Sequence, residues 1–341
     1  MSNLLAVENK KALALSLGFG FVAYQTYRYF RTWNNKDHEF VPIGVIKELY
    51  IHPVKSWSGK SVFSLYCDKM GVVCGSLRDR YFQVVDGNTG LFYTARQKPK
   101  MVLIEADIKD NLLIVSLPDG KTSYIDLNEV KKNKKIIRTT LFDKKKQDGY
   151  DCGDEISKLL SEFIDEPNTR LVAYDDHLYS ERTMISKKEW WMNNPVPNRK
   201  DEVAYVDFAP YLIMTEGSLN DLNTRLEEKV THQRFRPNIV IDKCPAYDED
   251  KWAELKIGDV RLECFCPCTR CVLTTVDPET GIRDKENQPL KTLRSYRISP
   301  EGCMRKEFKD DPIFGVNAGL VKPGFIHIGQ VVYARYKKSV F

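Results

Sequence analysis

The chain has 341 residues, 42% of them hydrophobic and 29% charged, with a net charge of +5. That length predicts two domains, and the composition is that of a soluble, mildly basic globular protein with ample apolar residues for real cores. The basic runs at 131–135 and 143–148 lack interleaved aromatics and read as solvated turns or edges, which argues against nucleic-acid binding.

At the N-terminus, residues 12–27 carry no charge over sixteen positions, with Lys10 and Lys11 before them and Arg28, Arg31 and Lys36 after. As a helix this run spans about 24 Å, short of a hydrocarbon core of about 30 Å. Tyr27, Tyr29, Phe30 and Trp33 are suited to a headgroup interface. A secretory signal has the right apolar length, but no small-x-small cleavage site follows the run. A polar linker over 34–39 separates it from everything downstream. The reading is a short membrane anchor.

From Val41 the pattern turns β-rich. Stretches 42–54, 81–86, 91–96, 101–108 and 111–117 read as strands, separated by turn signals. A helix is expected over 154–165, with Ile156, Leu159, Leu160 and Phe163 on one face. The polar stretch 180–202 has no clear period and is a candidate domain junction or mobile loop. Residues 203–215 read as another strand, placing Asp207 in largely apolar surroundings. A helix is expected to start at Ser218 as N-cap, with Leu219, Leu222 and Leu226 as its stripe. Stretches 235–241, 254–265 and 327–336 complete a second β-rich half, with Gly258-Asp259 as a hairpin turn. No Gly-rich phosphate loop occurs.

Nine cysteines sit at 67, 74, 152, 244, 264, 266, 268, 271 and 303. The odd count, the wide spread and the absence of any Asn-x-Ser/Thr sequon favour a reducing, cytosol-facing compartment, which argues against disulfides. Four of them fall in "CFCPCTRC" (264–271). A zinc or iron–sulfur site usually wants two separated pairs, and here one run carries all four. On a strand Cys264 and Cys266 would share a face about 6.6 Å apart. Cys67, Cys74, Cys152, Cys244, Cys264, Cys266 and Cys303 read as small buried hydrophobes, and Cys268 fits either role. Cys271 differs. Pro267 is expected to break the strand before it, and Arg270 beside it favours thiolate, the form that binds soft metals or attacks electrophiles.

The motifs "HPVKSWSG" (52–59), "LRDRYF" (77–82), "YTARQ" (93–97), "FRPNIVI" (235–241), "LKIGDVRL" (255–262), "RCVLTTVDPETG" (270–281) and "FGVNA" (314–318) stand in this order along the chain. In that order they resemble MOSC-domain proteins, and among them the family of mitochondrial amidoxime-reducing components, over about 41–336. The resemblance implies a β-rich α+β fold: a C-terminal MOSC β-barrel (181–341) packed with an N-terminal MOSC-associated, β-barrel-like domain (41–180), preceded by the anchor and linker (1–40). It implies a molybdenum cofactor held by its pterin dithiolene and one protein cysteine, matched by Cys271. It places Lys55, Ser56, Arg80, Arg236, Asn238, Thr269, Arg270 and Asn317 against the cofactor and Asp207 near the metal, as a proton relay. Phe208-Ala209 stands where some relatives carry hydroxyl residues.

Each cation also has a plainer reading, since Arg78 and Arg80 could pair with Asp79 and other acids, and Arg236 could brace a strand. The activity implied is reduction of N-hydroxylated compounds, with electrons from NADH through cytochrome b5 reductase and cytochrome b5, at the outer mitochondrial membrane facing the cytosol. A molybdenum-cofactor carrier or sulfur-transfer module is the alternative, and a zinc-dependent structural protein a further rival.

Overall fold

A computed structural model describes residues 39–141, 145–186 and 196–337. The expected anchor lies outside the described residues. Among the described residues, no helix is long and apolar enough to cross a membrane.

Seven strands close a barrel. Val41–Ile51 pairs antiparallel with Ile239–Asp242 on one side and with Val331–Tyr336 on the other. Ile239–Asp242 runs parallel to Tyr211–Thr215, which pairs antiparallel with Ile313–Lys322. Ile313–Lys322 pairs with Val260–Thr269, that strand with Trp252–Ile257, and Trp252–Ile257 with Val331–Tyr336, which completes the ring. The strands alternate buried and outward residues, so Ile46, Leu49, Ile213, Ile241, Leu255, Leu262, Val316 and Val332 fill one continuous core. The barrel takes its first strand from far upstream of the other six. Ser64–Asp68 likewise pairs with Gly324–His327 in a four-stranded sheet, so the two halves of the chain interlock through backbone hydrogen bonds.

Between Phe82 and Ala173, two further sheets of four and three strands enclose a second core with the helix Asp154–Ile164. Ile156, Leu160 and Ile164 are buried there against Val84, Val115 and Leu171, while Leu159 and Phe163 are partly buried, as the three-to-four spacing predicts.

Several elements differ from the pattern-based expectation. Residues 91–96 make only two isolated bridges before turning. Residues 101–108 divide into a 3-10 turn over Pro99–Leu103, where a proline opens the segment, and a strand over Glu105–Lys109. Within 143–148, Lys146 begins a paired strand in which Gln147 and Asp148 are buried. The helix after Tyr211–Thr215 spans Glu216–Asn223 and is capped by Thr215, which accepts from the Ser218 amide, so the cap lies three residues before the expected one.

Pro267 does not break its strand. The ladder to Ile313–Lys322 shifts register between Cys264 and Cys266 and again between Pro267 and Thr269, and such bulges accommodate a residue without an amide donor. Gly315 lies opposite the second shift with φ +88°, and a Cβ there would meet the Ile213 carbonyl oxygen at 2.9 Å. The first shift removes the simple alternation expected of Cys264 and Cys266, and both are buried. Cys67, Cys152 and Cys244 are buried as expected, whereas Cys74 is half-buried. Gly258-Asp259 forms the expected hairpin turn, with Ile257 opposite Val260.

Candidate active site

A cavity of ≈ 500 Å³ opens where loops of the first half meet the barrel. All ten residues singled out from the sequence line it: Lys55, Ser56, Arg80, Asp207, Arg236, Asn238, Thr269, Arg270, Cys271 and Asn317. They come from segments more than two hundred residues apart. Arg96 and Arg234 line it too and were not singled out, although Arg96 stands in the "YTARQ" motif and Arg234 two residues before Arg236.

Cys271 follows the end of the long strand and opens a 3-10 turn over Val272–Thr275. Its carbonyl accepts from the Thr274 amide at 3.1 Å and the Thr274 hydroxyl at 2.9 Å, which fixes the backbone that presents the half-buried thiol. Cys268 also lines the cavity, but its thiol turns to the Thr269 carbonyl oxygen at 3.7 Å, and burial pushes its pKa up. The Arg270 guanidinium points inward. It donates to the Phe314 carbonyl at 2.7 Å and the Phe235 carbonyl at 2.9 Å, with the Met214 sulfur at 3.5 Å. Arg270 thereby ties the cysteine loop to two neighbouring segments.

The amides of Asn238 and Asn317 are likewise engaged. Asn238 accepts from the Leu212 amide at 3.1 Å, and Asn317 donates to the Pro267 carbonyl at 3.2 Å. Ser56, Arg80 and Arg236 all hold left-handed backbone conformations, with φ of 69°, 52° and 57°. Such conformations cost free energy in residues other than glycine, and here three of them share one cavity.

Charge is unbalanced. Lys55, Arg80, Arg96, Arg234, Arg236 and Arg270 line the cavity, against the three carboxylates of Asp207, Glu307 and Asp311. Arg80 pairs with buried Asp79 and donates to the Arg236 carbonyl at 3.2 Å, so part of the plainer reading of Arg80 holds; Arg78 pairs with Asp68. Arg234 pairs with Asp277 at 2.7 Å. Arg236 donates to the Trp57 carbonyl through one terminal nitrogen, while its Nη2 is buried with no hydrogen-bond partner. Burial and the Arg80 charge lower its pKa to about 9.

Asp207 does not lie in a strand. Residues 203–210 are irregular, and Arg182 holds them by donating to the Ala204, Val206 and Asp207 carbonyls at 3.0, 2.7 and 3.1 Å. Buried Tyr205 anchors the same segment, its amide donating to the Arg80 carbonyl at 3.1 Å. The Asp207 side chain is 52% exposed and pairs with Lys55 and, at 3.1 Å, with Arg96. Against burial, which would raise it, the Lys55 and Arg96 charges hold its carboxyl below the usual carboxylate range. Burial brings Lys55 down to about 8 despite Asp207.

This donor set fits an anionic cofactor that brings most of its own metal ligands. Among the described residues, no group of three or more His, Cys, Asp or Glu side chains could hold a metal, so the cysteine run does not gather into a cage there. What the cavity offers is the half-buried Cys271 thiol, a wall of cations and an orphaned guanidinium nitrogen, and the last two suit a phosphate-bearing group.

Comparison with known proteins agrees with this architecture. A family model described as "MOSC N-terminal beta barrel domain" matches residues 43–167, and one described as "MOSC domain" matches residues 200–333. The chain belongs to the MOSC family. It is 37% identical over 318 residues to "Mitochondrial amidoxime reducing component 2" of Homo sapiens, covering 93% of this chain and 91% of that one. It is 37% identical to "Mitochondrial amidoxime-reducing component 1" of Mus musculus, covering 93% and 90%, and 36% identical to component 1 of Homo sapiens, covering 93% and 91%. These likenesses support a molybdenum-cofactor-related function, a reductase activity and a mitochondrial location.

Proposed function

We propose that this chain is a molybdenum-cofactor-dependent reductase of amidoximes, N-hydroxyguanidines and hydroxylamines. The observation that carries the reading is the half-buried Cys271 thiol at the end of the long strand, on a cavity walled by cations, with the neighbouring Cys268 thiol turned to the Thr269 carbonyl. Bound there, the cofactor would supply two-electron reduction and accept the substrate's oxygen. Cys271 would be the protein ligand to the metal. Lys55, Ser56, Arg80, Arg236, Asn238 and Thr269 would hold the pterin and its phosphate, and Arg270 and Asn317 would fix the walls around them.

Converting an N-hydroxyl group to an N–H and water consumes two protons and two electrons. A carboxyl as acidic as that of Asp207 holds no proton near neutrality, whereas Lys55, at about 8, does. The proton relay is therefore read as a pair, with the proton on the Lys55 Nζ and Asp207 fixing its position. The electrons would come from NADH through cytochrome b5 reductase and cytochrome b5. Anchoring on the outer mitochondrial membrane, facing the cytosol, would keep the three proteins on one surface and raise their effective concentration.

The test is NADH oxidation driven by an aromatic amidoxime, with cytochrome b5 and its reductase supplied. Turnover yielding the amidine is the expected result. Bound cofactor without turnover would turn the reading toward a cofactor carrier or sulfur-transfer module.

A further inference from the structure

Phe325 and Phe63 are 71% and 69% exposed, the most exposed of the large hydrophobic side chains among the described residues. They are not scattered singly. Phe325 stands opposite Tyr66 in the sheet register, their rings 5.0 Å apart, and Phe63 stacks on His327 at 6.0 Å and 12°. Leu65, Cys67 and Ile326 alternate with Tyr66, Phe325 and His327 and are buried, so the strands Ser64–Asp68 and Gly324–His327 turn these rings outward, and Phe63, just before the first of these strands, joins them through His327. Across the same sheet the row continues from Tyr66 to Val73 and then to Arg78, which pairs with Asp68 at 3.1 Å. Exposed Val331 and Tyr333 follow His327 after a short turn, and Tyr333 stands opposite Pro42 and Lys256.

One edge of this face, Tyr333 opposite Pro42, lies beside the start of the first barrel strand, and the Phe63 edge lies further along it. Val331 pairs with Val45, and the Ile328 amide donates to the Phe63 carbonyl at 3.0 Å. The Val62 amide donates to the Leu49 carbonyl, so Phe63 stands about seven strand residues, or roughly 23 Å, along the first barrel strand from Val41. Residues 34–40 join that strand to the apolar, basic-flanked run and can reach no more than about 24 Å. Aromatic rings gathered on one outward face are the composition that favours the headgroup region of a bilayer.

We propose that the aromatic face of Phe63, Tyr66, Phe325 and His327 rests on the lipid surface, so that the barrel docks flat on the bilayer rather than hanging from a free tether. The inference rests on the membrane-anchor reading above. It is tested with the full chain in phosphatidylcholine–phosphatidylserine vesicles, carrying the photo-crosslinker benzoylphenylalanine in place of Phe63, of Phe325, or of Tyr124, which is exposed on a different sheet. Lipid adducts at 63 and 325 and none at 124 are expected. A chain that stays with the vesicles after alkaline washing but forms no lipid adduct at 63 or 325, or forms adducts with a second copy instead, overturns the docking face and leaves the anchor standing. A chain released by the wash overturns both.

Discussion

The Lys55 ammonium donates to the Asp207 carboxylate in the wall of the cavity, joining a loop after the first barrel strand to a segment about 150 residues later. The Tyr205 carbonyl accepts from the same ammonium at 2.8 Å. The pair brings a base lowered by burial against a carboxylate made more acidic by its neighbours.

Asp207→Asn removes the charge that holds the Lys55 proton. The Lys55 pKa then falls further below about 8, and activity that needs the ammonium is lost at lower pH as pH rises. A loss of about 100-fold in kcat is expected, with metal content unchanged. A pH–rate profile checks the account, and an alkaline limb that stays in place in the variant contradicts it.

His52 stands behind the cations, its amide donating to Asp79 at 2.8 Å. Burial, then the Arg236 and Arg80 charges, lower its imidazole from 6.5 to about 3. Between those pH values the unfolded chain binds a proton that the folded chain refuses, so stability falls as pH drops through the window. The loss is at most about 5 kcal/mol. Denaturant unfolding from pH 7 to 4 should show a shallower acid slope for His52→Gln; an equal slope would assign the acid loss to other groups.

Arg236→Gln should lower retention of pterin by at least about tenfold, because one neutral amide replaces a guanidinium with a free buried nitrogen. The cofactor-free chain should unfold at nearly the same temperature, since the variant also removes an uncompensated buried charge. Pterin fluorescence after gel filtration and thermal unfolding read the two effects separately. Equal retention with a large fall in Tm would assign Arg236 to bracing alone.

Gly315→Ala tests the support of the cysteine loop. The new Cβ would stand 2.9 Å from the Met214 Cγ and 3.1 Å from the Arg270 Nη2, in a left-handed conformation. A destabilisation of about 2 kcal/mol is expected by denaturant unfolding. A stability equal to the parent's would show that Arg270 and Met214 yield at no cost.

How much of this was legible follows from where the information lies. The strand from Val41 and the hairpin at Gly258 carry their own alternation and turn residues, so local pattern sufficed. The segment around Asp207 also looks apolar, but its carbonyls are taken by Arg182 from outside the segment, and no local pattern reports that. The strand carries Pro267 because a glycine in the partner strand lies where the ladder shifts, which is equally non-local. The gathering of cations at one cavity was legible only through the ordered motifs, since singly each arginine reads as a surface ion pair. Arg270 illustrates the limit: its place beside Cys271 was evident, but the inward turn of its guanidinium to the Phe314 and Phe235 carbonyls was not.

The central claim is that Cys271 holds molybdenum in this cavity. The most direct test is elemental and pterin analysis of the full chain beside Cys271→Ala and Cys268→Ala, all made in a host that synthesises molybdopterin. The account predicts near-stoichiometric molybdenum in the parent and in Cys268→Ala, with the metal lost from Cys271→Ala. Zinc or iron bound through several cysteines, with no molybdenum and no pterin, would contradict it.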